Sequence, residues 1–205
     1  LGICFMHIPP IVMTLATGNV LLGIAYIYCN GSPKGYRAPL LEQIVNGRVL
    51  GVLSGSVIIW ILLAVGIVFL LAKTTFGRSV YAIGVNAEAA RYSNIHVSST
   101  LILSYIIAGI VTAVTGILLV GYTGSAYMST GSAYGMDSIA AVVIGGTAIT
   151  GGHGGYAGTI AGVLIMTILT SLMTMLNMAD AGRQIVQGLI IVILLVAVYS
   201  RNKKA

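Results

Sequence analysis

Long apolar runs restrict this chain to a membrane. The run Val49–Leu71 contains no charged side chain and is long enough for a helix that crosses a bilayer, which needs about 20 residues. Only 7% of the residues are charged, whereas a soluble domain has about a quarter. The sequence therefore predicts an all-α integral membrane protein, built as a polytopic helical bundle. Its other spans are expected at Ile11–Tyr28, Ser98–Val120, Ala157–Met175 and Ile185–Tyr199.

One apolar run, Ser138–Ile149, is too short to cross comfortably. It follows Asp137 and the loop Gly121–Met136, which contains no Lys or Arg, and a glycine-rich turn around His153 comes after it. We expect a re-entrant or broken helix, which is tolerated at membrane depth only where protein or a water-filled cavity covers its ends. Asp137 is either an N-cap favoured by the helix dipole or a contact to an incoming partner or solute hydroxyl.

A polar segment, Thr75–Ile95, separates two of the long runs. Its alanines favour a helix, and a simple connector between spans would need only a few polar residues. The pattern predicts a short, firm helix at the membrane face, suited to receive a push from a soluble partner. The polar and charged side chains on this pattern are Arg78, Asn86, Glu88 and Arg91.

The distribution of Lys and Arg predicts the orientation of the chain, because cytoplasmic loops carry an excess of both. The tail after Tyr199 is basic, and the Gly121–Met136 loop has no Lys or Arg. Three passes separate the two, so the Lys73–Val97 segment is expected in the cytoplasm. The loop Cys29–Arg48, which would be external, contains as many basic residues. We predict the orientation from the tail and not from this loop, because the charges of the tail are uninterrupted and nothing acidic offsets them.

Several functions are excluded by composition. The net charge of +6 comes from scattered basic residues without the clustered face that nucleic-acid binding needs. No nucleophile with a base, no paired carboxylates and no phosphate-binding loop are present, so the chain is not expected to be an enzyme or to hydrolyse ATP. Cys4 and Cys29 form no CxxC pair and the histidines are isolated, so neither a metal site nor a cofactor is expected.

Polar residues lie within the first apolar run, and small residues recur in others. Asn19 and Thr17 could line a polar path, because polar groups in a span usually face a cavity or a partner. The hydroxyl of Thr17 could equally be satisfied by its own helix backbone. GxxxG spacing at Gly51/Gly55 and at Gly158/Gly162 indicates close packing of helices.

Three segments resemble the permease subunits of bacterial ABC importers for ribose, xylose, arabinose, galactose and autoinducer-2. Ile8–Ala25 resembles a helix that is entered through prolines, and Thr74–Ile95 resembles the cytoplasmic coupling segment. Met136–Gly162 is similar to the most recognisable motif, an acidic residue before IAA, then GG and a glycine-rich turn. The resemblance covers essentially the whole chain. It departs at Val85 and Asn94, where the family usually has glycine.

The resemblance implies a fold of the vitamin-B12-importer type in a bacterial inner membrane. It also implies ATPase subunits on the cytoplasmic side, a second permease subunit and an extracytoplasmic sugar-binding protein. Because Leu1 is not Met, we expect residues 1–205 to be the C-terminal part of one longer permease domain. The residues expected to couple to the ATPase are Gly77, Arg78, Tyr81, Gly84, Asn86, Glu88 and Arg91, and those expected along the translocation path are Thr17, Asn19, Asp137, Gly145 and Gly146.

The expected function is therefore that of a transmembrane permease subunit that moves a monosaccharide or similar small polar solute into the cytoplasm. The alternative is a secondary transporter or channel that needs no ATPase. Such a carrier typically places ionisable residues inside its spans to bind the coupling ion. The apolar runs here contain no Asp, Glu, Lys or Arg, which favours the importer.

Overall fold

The computed structural model is helical apart from one short β-hairpin. It describes residues 2–5, 8–31, 39–49, 53–125, 131–148, 151–179, 182–186, 188–190 and 192. The prediction of an all-α polytopic membrane fold is confirmed. The helices are α1 Gly2–Phe5, α2 Pro10–Cys29, α3 Pro39–Asn46, α4 Gly55–Lys73, α5 Thr75–Val85, α6 Ala87–Tyr92, α7 Val97–Thr123, α8 Ser132–Ile144 and α9 Tyr156–Met175.

Four of these helices, α2, α4, α7 and α9, are long and apolar enough to cross a membrane. Each overlaps a predicted span, because a long run of apolar side chains in lipid leaves a helix as the only way to pair the backbone within one segment. Of the last predicted span, Ile185–Tyr199, residues 185–186, 188–190 and 192 are described and are helical. The basic tail used to predict the orientation lies outside the described residues.

The chain divides into two compact units. The first comprises residues 1–80 and 88–131, and the second comprises residues 81–87 and 132–205. Helix α5 therefore begins in the first unit and ends in the second, and the chain returns to the first unit at Glu88.

The predicted loop Cys29–Arg48 contains a helix that the sequence interpretation missed. In the first unit, α3 packs against α4 and α7. Val45 is only 1% exposed, and its side chain lies where a Cβ on Gly121 would have to fit. The Asn46 amide also donates a hydrogen bond to the Gly121 carbonyl at 3.4 Å. An apolar pair four residues apart, Leu41 and Val45, is the sequence signal for this packed face.

The second span begins later than predicted. Instead of starting at Val49, helix α4 starts at Gly55, after an antiparallel hairpin of two short strands, β1 Arg48–Val49 and β2 Leu53–Ser54. In this hairpin Arg48 faces Ser54 and Val49 faces Leu53. The turn residues 50–52 lie outside the described part. Apolar, β-branched residues before Gly55 made the hairpin indistinguishable from helix on hydropathy alone.

In the second unit, α8 and α9 pack against each other as an antiparallel pair. The hydrophobic core of this unit lies at their contact. Ala140 and Ala141 of α8 and Met166 of α9 are buried there, with Ile144 packed against them. Glycines set the spacing, since a Cβ on Gly158 or Gly162 would run into the backbone carbonyls of Gly145 or Ala141 respectively. The predicted small-residue packing of the Gly158/Gly162 pair is therefore present in the structure.

Helix α8 corrects the predicted boundaries of the short run. It covers Ser132–Ile144, not Ser138–Ile149, so its first turns fall within the predicted loop Gly121–Met136. Helix α7 also continues into that loop, as far as Thr123. With 13 residues, α8 is still shorter than the about 20 residues of a full span.

Candidate coupling site

The coupling segment begins at a sharp corner between α4 and α5. The Thr74 hydroxyl accepts a hydrogen bond from the Gly77 amide at 3.2 Å and donates one to the Leu70 carbonyl at 2.6 Å. Thr74 thus caps the start of α5 while it pairs a carbonyl at the end of α4. Gly77 is buried, and a Cβ at this position would collide with the Leu71 carbonyl oxygen. Gly77, which the sequence predicted as a coupling residue, therefore allows the backbones of α4 and α5 to approach closely at this corner.

The end of α5 lies against the glycine-rich turn between α8 and α9. The Tyr81 hydroxyl donates a hydrogen bond to the Gly154 carbonyl at 3.0 Å. A Cβ on Gly84 would lie 2.5 Å from the Gly152 amide nitrogen and 3.0 Å from its Cα. Since only glycine lacks this atom, two backbones meet here without an intervening side chain.

Gly152 completes this contact from the other side. Its φ of +81° is in the left-handed region, which L residues with side chains rarely adopt. A Cβ on Gly152 would also lie 2.8 Å from Cγ2 of Val85 and 3.0 Å from its backbone nitrogen. Val85 is one of the two positions where the chain departs from the resembled family, and its side chain packs on this turn.

The predicted single helix of the coupling segment is in fact two helices, interrupted at Asn86. Helix α5 ends at Val85 and α6 begins at Ala87. Both Glu88, in the first turn of α6, and Arg91, in its last turn, are exposed, and each sign is favourable for its end of the helix dipole. Ala90, by contrast, is buried. Arg78 on α5 is exposed too.

The second departure from the resembled family, Asn94, ends α6. Its φ is +61°, and the following Ile95 amide donates to the Ala90 carbonyl at 3.1 Å. This pattern is a helix C-cap with a left-handed residue, a position that glycine fills most often and asparagine also tolerates. A cleft of about 320 Å³ lies beside this cap, lined by Arg91 and residues 94–99.

The predicted path residues Gly145 and Gly146 lie at the end of α8. Gly146 has a φ of +79°, and the next amide, of Thr147, donates to the Val142 carbonyl at 3.1 Å, which caps the helix. Gly145 faces α9, where a Cβ would lie 2.5 Å from the Gly158 carbonyl carbon. The structure therefore gives Gly145 and Gly146 packing and capping positions.

Asp137 does not cap a helix. It lies in the interior of α8 and is half-buried, because this helix starts earlier than expected. The interpretation of Asp137 as an N-cap is therefore wrong, and its alternative as a contact to solute or partner stays a prediction. Neighbouring Ser138 donates a hydrogen bond to the Gly135 carbonyl at 2.8 Å.

Thr17 and Asn19, both on α2, differ in how their side chains are paired. The Thr17 hydroxyl donates to the Met13 carbonyl one turn earlier, at 2.8 Å. Of the two alternatives for Thr17, the structure shows the one in which its hydroxyl is paired with the backbone of its own helix. Asn19 is exposed, and its side chain makes no hydrogen bond among the described residues. Thr17 and Asn19 belong to the first unit, whereas Asp137, Gly145 and Gly146 belong to the second.

Sequence reasoning recognised Tyr81 and Gly84 as residues of the coupling segment, but it missed what they touch. Their contacts lie about seventy residues further along the chain, on the turn at residues 151–154. The available signal was the pairing of an isolated helical glycine with a glycine-rich turn, since both indicate close approach of backbones. That signal does not say which backbone approaches which.

Comparison with known proteins establishes the family. The family described as branched-chain amino acid transport system / permease component matches residues 1–195. The chain belongs to this permease family. Together with the ribose and arabinose permeases among its relatives, this match confirms the resemblance drawn from the three sequence segments. With four long apolar helices among the described residues, this member of the permease family is a multi-pass protein of the bacterial inner membrane.

Named relatives within the permease family are similar over most of this chain. The probable ABC transporter permease protein YphD of Escherichia coli K12 is 37% identical over 93% of the chain and 57% of its own length. The ribose import permease protein RbsC of Bacillus subtilis is 36% identical over 96% and 61%. The L-arabinose transport system permease protein AraH of E. coli K12 is 33% identical over 97% and 60%. The chain thus spans about 60% of the length of these relatives, and no solved structure matches it significantly.

Proposed function

We propose that this chain is a membrane-spanning permease subunit of an ATP-binding-cassette importer for a monosaccharide or similar small polar solute. The observation that carries the proposal is its similarity to ribose and arabinose permeases, which extends over more than nine-tenths of the chain. ATP hydrolysis then belongs to a separate subunit. A second permease subunit and an extracytoplasmic sugar-binding protein complete the assembly, with membrane lipid around it.

The segment Lys73–Val97 is proposed as the cytoplasmic docking element for the ATPase. Two features support this role. It joins two candidate spans, α4 and α7, through short helices, and it is held by the Thr74 cap at its start and the Asn94 cap near its end. Its charged residues Arg78, Glu88 and Arg91 are exposed, so they are accessible to a soluble partner.

The translocation path is proposed to involve the polar residues of α2 and the short helix α8. Asn19 exposes an amide on a largely apolar helix, and such groups in membrane proteins usually face a cavity or a partner. Asp137 is half-buried in α8, which is too short to cross alone. Hydroxyl-rich solutes pair well with amide and carboxylate groups of this kind.

The rival function, a secondary transporter, is less well supported by the described helices. Within α2, α7 and α9, no Asp, Glu, Lys, Arg or His is present, and α4 has only Lys73 at its end. Coupling to an ion gradient typically uses ionisable groups inside the spans. Asp137 on α8 is the one acidic residue in a described apolar helix that a proton-coupled mechanism could use.

Purification from the native membrane distinguishes the two functions. A tagged chain is expected to bring down a protein that hydrolyses ATP, and this hydrolysis is expected to rise when the external binding protein is supplied with its solute. D-ribose and L-arabinose are the first solutes to test, because relatives are named for them. A purified chain without ATPase activity that exchanges solute in response to an ion gradient would establish the rival function.

A further inference from the structure

The contact between α5 and the glycine-rich turn has no role in the proposed docking of the ATPase. Tyr81 and Gly84 lie on the coupling segment, but they touch the turn between α8 and α9. Residues 81–87 accordingly cluster with residues 132–205 and not with the remainder of the coupling segment. These two residues are therefore positioned to pass a movement to the turn, while exposed Arg78, Glu88 and Arg91 are positioned to receive it.

At Gly84 and Gly152 the contact is backbone against backbone, beside the Tyr81 hydroxyl and the Val85 side chain. An added Cβ on Gly84 would lie 2.5 Å from the Gly152 nitrogen, and one on Gly152 would lie 3.0 Å from the Val85 nitrogen, so the two backbone segments are in close contact. A Cβ on Gly151 would likewise lie 3.2 Å from the Gly84 carbonyl oxygen. Side chains can change rotamer under load and absorb a displacement, whereas packed backbones cannot. A shift of α5 is therefore transmitted to the turn with little loss.

The turn is fixed to the residues that follow α8, and it leads directly into α9. The Ala148 amide donates to the His153 carbonyl at 3.0 Å, and the Gly151 amide donates to the Ala148 carbonyl at 3.0 Å. At Gly154 a Cβ would lie 2.6 Å from the Thr147 side chain, so the turn is closed onto the end of α8. Beyond it, α8 and α9 meet through Gly145, Gly158 and Gly162 with their backbones in contact.

We propose that Tyr81, Gly84 and Gly152 form a mechanical link that makes the helix pair α8–α9 follow the coupling segment as one body. In this role they are positioning residues for transport, separate from the surface that binds the ATPase. The proposal rests on the proposed importer function. It adds that the moving element driven by ATP is the short helix α8 with its partner α9.

Two substitutions test the link in the permease assembled with its ATPase and binding protein. Gly84→Ala inserts a methyl group where the Gly152 backbone lies, and Tyr81→Phe removes only the hydroxyl that bonds Gly154. Gly109→Ala is the matched control, because a Cβ there meets nothing within 4 Å. Tyr81→Phe keeps the ring, so it tests the link even if Gly84→Ala fails to assemble.

The first measurement is the amount of solute imported for each ATP hydrolysed, with D-ribose or L-arabinose as the probe that the parent transports. We expect this ratio to fall at least about tenfold for Gly84→Ala because overpacking separates the segments. For Tyr81→Phe, which loses a single hydrogen bond, we expect a fall of about two- to tenfold. ATPase binding should be unchanged in both variants, and Gly109→Ala should behave as the parent.

The second measurement is hydrogen–deuterium exchange with and without Mg-ATP. In the parent, nucleotide is expected to change exchange at residues 87–92 and at residues 151–160 together. In Gly84→Ala and Tyr81→Phe, residues 87–92 should still respond while residues 151–160 respond less. An equal response of both regions in all variants, with an unchanged import ratio, would overturn the link and leave the importer function intact. A parent that recruits no ATPase would instead overturn the importer function, and the link with it.

Discussion

The packing of α9 on α8 gives the sharpest test of the structure itself, through the substitution Gly162→Ala. The added methyl group would overlap the Ala141 carbonyl oxygen and would lie 3.0 Å from both the Ala141 carbonyl carbon and the Gly145 nitrogen. Since uncharged heavy atoms in contact prefer about 3.5–4.0 Å, relieving the overlap with the carbonyl oxygen requires α9 to move away from α8 by more than about 1 Å. Overpacking of this kind costs about 1–3 kcal/mol.

Helix propensity has to be separated from this steric cost, because replacing a helical glycine by alanine also stabilises the helix, by up to about 1 kcal/mol. Gly109→Ala supplies that correction, since it lies within α7 and its Cβ meets nothing within 4 Å. The difference in the free energy of unfolding between the two variants therefore isolates the packing. We expect Gly162→Ala to be less stable than Gly109→Ala by about 1–3 kcal/mol.

The assay is unfolding of the purified protein in mixed micelles by increasing SDS, followed by circular dichroism. Linear extrapolation of each transition gives the two free energies of unfolding under the same conditions. Equal stability of the two variants, or a more stable Gly162→Ala, would show that α8 and α9 are not in backbone contact in the protein. The link proposed through the glycine-rich turn would then lose the helix pair that it is meant to move.

Three further outcomes are expected. With the native cysteines replaced, a cysteine at exposed Ser93 should react with an impermeant thiol reagent only after permeabilisation, and labelling in intact cells would reverse the predicted topology. Reversing the charges of Glu88 and Arg91 should weaken ATPase binding by about 2–5 kcal/mol if both make desolvated contacts in a docking groove. The ATPase would then be lost during purification. Unchanged recovery would indicate a merely solvated pair, worth at most about 1 kcal/mol. Thr74→Ala should lower the free energy of unfolding by about 1 kcal/mol through loss of the α5 cap, whereas Thr74→Ser should not; equal loss would exclude the cap.

The long spans were predictable because an apolar segment in lipid has to form a helix to pair its backbone groups. Hydropathy placed α2, α7 and α9 within a few residues of their observed ends, since every backbone group must be paired inside the helix. Hydropathy could not separate the hairpin before Gly55 from the span after it. It also missed α3, whose eight residues are too few for a membrane span and whose packed face uses Leu41 and Val45.

The coupling segment shows a second limit. Its position between two spans and its helical character followed from composition, but the break at Asn86 did not, because asparagine costs a helix little more than other polar residues. The contact of Tyr81 with Gly154 joins distant parts of the chain. Local propensity and periodicity contain no information about such a pairing, so only the structure reveals it.

The importer function depends most directly on what energises transport. The full permease should be reconstituted into liposomes with its ATPase and binding protein, and uptake of labelled D-ribose and L-arabinose should be followed with ATP, without ATP, and with an imposed proton or sodium gradient alone. We expect accumulation of at least one solute only when ATP is present on the side that exposes Lys73–Val97. Accumulation driven by an ion gradient without ATP would contradict the assignment as an ATP-driven permease subunit.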